Sequence, residues 1–211
     1  MKILLTMFLI GFTICVRVDA QTNSAPSTAT STQVETIVCI RHGEKPPGGL
    51  GQLTCRGLNR ALALPKVLLA KYGIPQFVFA PNLTQKVDGM DEKQGHFPLR
   101  PLMTIEPTAI RCGLPVNIQF GTKEISRLEN ELQKAAYKSA IVFIAWEHVL
   151  LDDFAKNVVK ACGGDSTQVP LWPADDYDTI FVIQISRSEG RESAAFTIDH
   201  ENLDNLSDTC P

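Results

Sequence analysis

The stretch that decides the fold is residues 36–44, which read Thr-Ile-Val-Cys-Ile-Arg-His-Gly-Glu. The first five residues are apolar or β-branched without interruption, which is typical of a strand buried on both faces of a sheet. The run stops at Arg41-His42, so a guanidinium and an imidazole stand where the strand ends. A loop rich in glycine and proline follows at 46–51.

Further strands and helices alternate along the rest of the chain. Apolar runs predict strands at 77–80, 116–118, 140–146 and 179–185, and helical spacing predicts helices at 53–72, 100–112, 124–137 and 151–162. Pro65 is expected to kink or split the first helix. Continuously apolar strands that alternate with helices predict an α/β fold, a three-layer sandwich with a mostly parallel central sheet.

The long polar segment at 82–99 has no clear periodicity and is expected to form a loop beside the mouth of a pocket. His96 lies in this segment and could line the pocket from it, but a solvated loop histidine is the default expectation.

The first 33 residues are expected to lie outside the folded domain. A basic start, an apolar run at 3–16 and small residues at 18–20 predict a secretory signal peptide over 1–20. The apolar run is shorter than the ~20 residues of a spanning helix, so no stable membrane insertion is expected after cleavage. Residues 21–33 are mostly Ser, Thr, Ala and Gln, with few apolar positions, and predict a disordered leader. Residues 34–211 then form one domain, exported to the periplasm or secreted.

Charge and cysteine content exclude some classes of protein. The chain has 20 Lys and Arg against 23 Asp and Glu, a formal net charge of -3, which gives no general reason to bind nucleic acid. Cys15 would leave with the signal peptide, and the remaining five cysteines are an odd number, so at least one has no partner within the chain. No Cys-x-x-Cys pair or zinc-type Cys/His spacing is present. Cys39, inside the first strand, is expected to be a buried small hydrophobe.

Two histidines occupy the positions where chemistry is expected. In open α/β sheets, ligands bind beyond the carboxyl ends of the strands. His42 and His148 end the two most apolar runs, with Arg41 beside one and Glu147 beside the other. A neutral imidazole next to a guanidinium is a good nucleophile toward phosphorus, and the planar fork of arginine binds two phosphate oxygens. The pattern therefore points to phosphoryl transfer.

Four stretches, in order, resemble the histidine phosphatase superfamily, the clan of cofactor-dependent phosphoglycerate mutases and acid phosphatases. Residues 40–44 resemble its Arg-His-Gly signature, and 53–58, Leu-Thr-Cys-Arg-Gly-Leu, are similar to its Leu-Thr-x-x-Gly helix entry. Residues 100–107 resemble its second arginine block, an Arg followed four residues later by Thr. Residues 145–148, Ala-Trp-Glu-His, look like the site of its second histidine.

The resemblance implies a fold of the phosphoglycerate mutase type and hydrolysis of small phosphate monoesters through a phosphohistidine at His42, with no metal or other cofactor. Arg41, Arg100 and His148 would bind the phosphoryl oxygens and stabilise the transferring group. Lys45 occupies the position where acid-phosphatase-like members carry a further arginine, and it would contribute a point charge. The expected export favours a phosphatase over a mutase, because an intracellular sugar-phosphate pathway would not reach the protein.

The general acid is not fixed by the resemblance. Acid-phosphatase-like members place an Asp directly after the second histidine, where this chain has Val149. The candidates are Glu147 and Glu124, with Glu106 behind them. An acidic residue in the first turn of a helix explains Glu124 equally well.

Two alternatives belong to other classes of function. His42, Glu44, Glu147 and His148 form a mixed nitrogen and oxygen set that could bind Zn²⁺ or Mn²⁺ in a metal-dependent hydrolase, although the nearby arginines and lysine would repel a cation. A non-catalytic module that binds phosphorylated ligands would use the same cationic groups without turnover.

Overall fold

The computed structural model describes residues 32–48, 51–87 and 95–211. The predicted signal peptide at 1–20, and all but the last two residues of the predicted leader, lie outside these ranges. Within them the chain forms strands and helices in the order β1 Gln33–Arg41, α1 Cys55–Tyr72, β2 Phe77–Phe79, α2 Leu99–Cys112, β3 Val116–Asn117, α3 Ile125–Leu132, β4 Ile141–Trp146, α4 His148–Ala161, β5 Thr179–Ser188 and β6 Arg191–His200.

One six-stranded sheet runs through the molecule in the order β3-β2-β4-β1-β5-β6. The first four strands of that order are parallel to one another, and β5 and β6 are antiparallel additions at one side. The α/β architecture and the mostly parallel centre of the sheet are as predicted. The strand at β6 was not predicted, because its residues are mostly exposed and polar, as is usual for an edge strand.

Helices cover both faces of the sheet, which explains why its central strands are apolar at every position. Side chains of α1 and α2 pack with one set of alternating strand residues, including Val38 and Ile40, and side chains of α3 and α4 pack with the other set, including Ile37 and Cys39. The result is a three-layer sandwich with Cys39 fully buried.

Three helices differ from the sequence prediction. Pro65 is buried within a single continuous α1, so it does not split the helix. The predicted helix at 124–137 is broken into α3 and two short 3₁₀ turns, and the hydroxyl of Tyr137 donates to Glu131 across the break. Helix α4 begins at His148 rather than at Leu151, because Glu147 caps it.

The end of the chain is fixed to the first helix. Cys55, the first residue of α1, forms a disulfide with Cys210, a pairing that the sequence left open. The side chain of Asn59 donates to the carbonyls of Ser207 and Thr209, and Arg56 pairs with Asp208 at 2.8 Å. None of the helices in the described ranges has both the length and the apolarity of a transmembrane segment.

Candidate active site

The two histidines leave the sheet from neighbouring parallel strands. Arg41, the last residue of β1, is in register with Trp146, the last residue of β4. The backbone N–H of His42 donates to the carbonyl of Trp146 at 3.1 Å, one step beyond the strand pair. Glu147 and His148 follow Trp146 directly, so both predicted histidines lie at the same edge of the sheet.

The imidazole of His42 is held in one tautomer. Its Nδ1 lies 2.8 Å from the carbonyl oxygen of Gly43. A carbonyl can only accept, so Nδ1 carries the proton and Nε2 keeps its lone pair. Burial lowers the pKa of His42 to about 3; the bond to Gly43 and the charge of Glu147 oppose this shift, and the charges of Arg100 and Arg41 reinforce it. The ring is therefore neutral at physiological pH, with a free electron pair on Nε2.

Two glycines allow the loop after His42 to press against the start of α1. A β-carbon at Gly57 would lie 2.7 Å from the carbonyl oxygen of Glu44, and one at Gly43 would lie 3.1 Å from the carbonyl oxygen of Gly57. Thr54 caps the helix by accepting from the N–H of Gly57, and its own N–H donates to Glu44. This contact explains physically why glycine follows the histidine and recurs in the helix entry.

Helix α2 meets the same loop through one hydroxyl. The fully buried Thr104 accepts from the N–H of Gly43 at 2.9 Å and donates to the carbonyl of Arg100 at 2.7 Å. The guanidinium of Arg100 lies 2.9 Å from Nε2 of His96, which must accept from it. His96 is buried, so the expectation of a solvated loop histidine is wrong. Although His96 and Arg100 are close in the sequence, no sequence pattern shows that their side chains meet. The contact depends on how the end of the 82–99 loop leads into α2.

Arg41 is fixed by the segment before β5, which sequence patterns did not single out. Its Nη1 donates to the carbonyls of Asp176 at 2.8 Å and Pro173 at 3.3 Å. Its guanidinium carbon lies 4.0 Å from the centre of the Tyr177 ring, a cation–π contact. The Tyr177 ring is also 6.2 Å from the ring of His42. Tyr177 is thus an unpredicted member of the site.

Glu147 and His148 form a close pair at the start of α4. The carboxylate of Glu147 accepts from the N–H of Leu150 and lies 2.7 Å from Nδ1 of His148. Burial raises the pKa of Glu147, but the contacts with His148 and with backbone N–H groups outweigh it and hold the pKa below its ordinary value. The charge of Glu147 raises the pKa of both His42 and Arg41, so its carboxylate lies near both side chains.

Glu124 is engaged in a local structural role. Its carboxylate accepts from the N–H of Gly121 and pairs with Arg127 at 2.7 Å. The turn that holds it lies at the same end of the sheet, because the indole of Trp146 donates to the carbonyl of Thr122. These contacts match the helix-start explanation of Glu124 that the sequence left open.

Three other predicted charges point to solvent or to a different cluster. Lys45 and Glu106 are exposed. Glu44 pairs with the buried Arg60 at 2.8 Å.

The alternative metal site is not assembled from these residues. Glu44, one of its four ligands, is bound by Arg60, and in the described ranges no group of three or more His, Cys, Asp or Glu side chains is arranged to hold a metal ion. The two arginines beside His42 would also repel a cation.

Comparison with known proteins places the fold. No family model matches the sequence, and no curated protein is significantly similar to it. Among solved structures, a protein assigned as the phosphohistidine phosphatase SixA of Nakamurella multipartitia aligns with 79% of this chain and 96% of its own, at 15% identity and a TM-score of 0.53. The chain has the fold of the histidine phosphatases. A protein assigned as an alpha-ribazole-5'-P phosphatase of Escherichia coli aligns with 78% of this chain and 96% of its own, at 12% identity and a TM-score of 0.49.

The parallel strands of this fold place the two histidines near one another. In open α/β sheets ligands bind beyond the carboxyl ends of the strands, and in this chain the ends of β1 and β4 are Arg41 and Trp146. The fold expected from the resemblance is therefore confirmed.

Proposed function

We propose that this protein is a metal-independent phosphatase that hydrolyses phosphate monoesters through a phosphohistidine at His42. One observation carries the proposal: a buried imidazole is held neutral, with Nε2 unprotonated, within reach of the charges of Arg41 and Arg100. Such a group has the electron pair for attack on phosphorus, and the arginines neutralise the phosphoryl oxygens.

The reaction balances in two displacements. Nε2 of His42 attacks phosphorus while the bond to the ester oxygen breaks, and the leaving oxygen takes up a proton. Water then attacks the phosphoryl group, gives up a proton, and releases inorganic phosphate with His42 restored. Arg41, Arg100 and His148 bind the phosphoryl oxygens in both steps, and electrostatic stabilisation, above all by the two guanidinium groups, supplies most of the catalysis.

The Glu147–His148 pair is the best candidate for handling the proton. The low pKa of Glu147 means that its carboxylate is ionised in the resting enzyme, so it suits accepting a proton from His148 or water better than donating one. Because Nδ1 of His148 lies 2.7 Å from a Glu147 oxygen, the other ring nitrogen of His148 is the one that would give a proton to the leaving oxygen and recover one from water. This assignment favours Glu147 over Glu124 as the acidic member.

Export is part of the proposal. The disulfide between Cys55 and Cys210 supports an oxidising compartment, as does the signal-peptide pattern at 1–20. A phosphatase outside the cytoplasm would act on small phosphorylated compounds there.

A panel of phosphate esters, assayed with wild type and His42→Ala in the presence of a chelator, tests the function. The panel includes p-nitrophenyl phosphate, sugar phosphates, phosphoserine and phosphohistidine, the last because the Nakamurella protein is named for it. We expect wild type to turn over at least one ester and His42→Ala to lose about a thousandfold or more in kcat. Intact mass spectrometry of wild type quenched during turnover should show one added phosphoryl group.

The matched control is His200→Ala, which removes an exposed histidine at the end of β6 and should leave activity unchanged. Full activity in His42→Ala would overturn the proposal. Activity abolished by the chelator and restored by Zn²⁺ or Mn²⁺ would favour the metal-dependent alternative. Phosphate binding without turnover of any ester would favour the binding module.

A further inference from the structure

Residues 172–178, called here the 172–178 strap, pass beside Arg41 and supply two carbonyls that accept hydrogen bonds from it. Besides accepting from Arg41, the carbonyl of Asp176 accepts from the indole N–H of Trp172 at 3.1 Å. The carboxylate of Asp176 accepts from the backbone N–H groups of Asp178 and Thr179. Hydrogen bonds to both the carbonyl and the carboxylate of Asp176 therefore fix the position of the carbonyl that accepts from Arg41.

The far end of the strap is tied to the helix that carries His148. The backbone N–H of Trp172 donates to both carboxylate oxygens of Asp152, each at 3.1 Å. Asp152 is buried in α4, one turn beyond His148. The strap thus connects the start of α4 to the guanidinium of Arg41, and Tyr177 lies between two fixed neighbours.

The described contacts of Arg41 engage one nitrogen and one face of its guanidinium. Nη1 is taken by the two strap carbonyls, and one face of the guanidinium is covered by the Tyr177 ring. Its Nε is buried and has no hydrogen-bond partner among the described residues. Arg41 itself is almost fully buried, whereas Tyr177 is half-buried and therefore forms a boundary between the guanidinium and solvent.

We propose that Tyr177 is a positioning residue for phosphoryl binding: its ring fixes the plane of the Arg41 guanidinium beside His42, so that the free N–H donors face the bound phosphate. This inference rests on the proposed function. It adds a residue from outside the motif stretches, acting through Arg41 by stacking rather than by contact with the reacting atoms.

Binding of inorganic phosphate to the full-length protein, measured by isothermal titration calorimetry at pH 7, tests the inference without depending on turnover. Tyr177→Phe keeps the ring face and should bind phosphate within about twofold of wild type. Tyr177→Leu removes the ring but keeps an apolar side chain, and it should weaken phosphate binding about tenfold. In an Arg41→Lys background, which lacks a planar fork, Tyr177→Leu should weaken binding by less than about twofold.

The matched control is Leu171→Ala, an exposed residue directly before the strap, which should bind phosphate as wild type does. Thermal melting of each variant separates loss of folding from loss of binding, and the Tyr177→Phe comparison stands even if Tyr177→Leu proves unstable. Equal phosphate binding by wild type and Tyr177→Leu would overturn the inference and leave the proposed function intact. So would an equal loss in Tyr177→Phe, because the hydroxyl would then be the group that matters. Failure of wild type itself to bind phosphate would overturn both.

Discussion

Backbone carbonyls orient two side chains of the proposed site, His42 and Arg41. The carbonyl of Gly43 fixes the tautomer of His42, and two carbonyls of the 172–178 strap hold the guanidinium of Arg41. A backbone carbonyl has no pKa in the working range and cannot change rotamer, so it orients a side chain more firmly than another side chain would. Each group is thus preorganised before a ligand arrives, which is the condition for electrostatic catalysis.

The hydroxyl of Thr104 connects the loop after His42 to Arg100, and this contact can be tested. Thr104→Val keeps the shape but leaves the N–H of Gly43 without a partner, so we expect a loss of about 1–3 kcal/mol in the free energy of unfolding. Because Arg100 then moves relative to His42, kcat/KM for a phosphate ester should fall about tenfold or more. Urea denaturation and steady-state kinetics measure the two effects.

The same helix supplies a matched control for this substitution. Thr108 is equally buried, one turn further along α2, and its hydroxyl has no hydrogen-bond partner among the described residues. Thr108→Val should therefore be neutral or slightly stabilising. Similar losses in both variants would show that the Thr104 hydroxyl has no special role.

The residues of the site divide by how far sequence alone could find them. His42, Arg41, Glu147 and His148 were predicted because they directly follow apolar strands, and parallel strands bring such positions together. Tyr177 was not predicted, because it lies in a polar segment before an antiparallel strand. No local pattern shows which way a side chain in that segment faces.

At the scale of elements, one buried arginine ties together pieces that are far apart in the chain. Arg60 of α1 pairs with Glu44 at 2.8 Å, Glu201 at 2.6 Å and Asp204 at 3.3 Å, and its Nη1 lies 3.7 Å from Asp178. These acids belong to the loop after His42, the segment before β5 and the segment after β6. These five residues, called here the Arg60 cluster, thus connect α1 with three other segments of the chain.

The Arg60 cluster predicts that the stability of the protein falls as pH rises from about 4.5 to about 8. Burial raises the pKa of Glu201 from an ordinary 4.5 to about 8, against the lowering effect of Arg60. Because the folded state binds this proton more tightly than the unfolded state, its contribution to stability is complete below about pH 4.5 and is lost as pH rises through about 8. We expect the melting temperature of wild type to fall between about pH 5 and pH 9.

Two substitutions separate Glu201 from its neighbours. Glu201→Gln cannot lose a proton, so its melting temperature should change less over the same range. Asp204→Asn alters an exposed member of the cluster and should keep the pH dependence of wild type. Parallel curves for Glu201→Gln and wild type would contradict the assignment.

Strands and helices could be predicted where their burial in the fold requires apolar residues at regular positions. Strands β1, β4 and β5 each contain a largely buried apolar run, and all three were predicted. Strand β6 is exposed at most of its positions, with Phe196 buried, so its sequence carries little hydrophobic signal. The start of α4 was placed too late because its cap is a glutamate, which is not among the residues preferred at that position.

At the scale of the whole molecule, one covalent bond closes most of the described chain into a loop. Cys55 and Cys210 are 155 residues apart, and their disulfide holds the segment after β6 along α1. A bond across so long a loop restricts the unfolded chain strongly. The stability of the domain therefore depends on its redox environment.

Removal of this bond should destabilise the protein far more than removal of an unpaired thiol. We expect the Cys55→Ser/Cys210→Ser double variant to lose about 2–5 kcal/mol in the free energy of unfolding. Cys112→Ser, which changes an unpaired and half-buried cysteine of α2, is the control and should lose little. Urea denaturation of all three proteins measures the difference, and equal midpoints for the double variant and wild type would contradict it.

The backbone contact between Gly43 and Gly57 bears on how such a protein could be redesigned. A side chain at either position would press against the backbone that packs α1 on the loop after His42, so a combinatorial library aimed at new substrates should hold both positions constant. Diversity is better introduced at the exposed residues around position 174, where the backbone is already fixed by contacts on either side and new side chains would leave the imidazole of His42 in place.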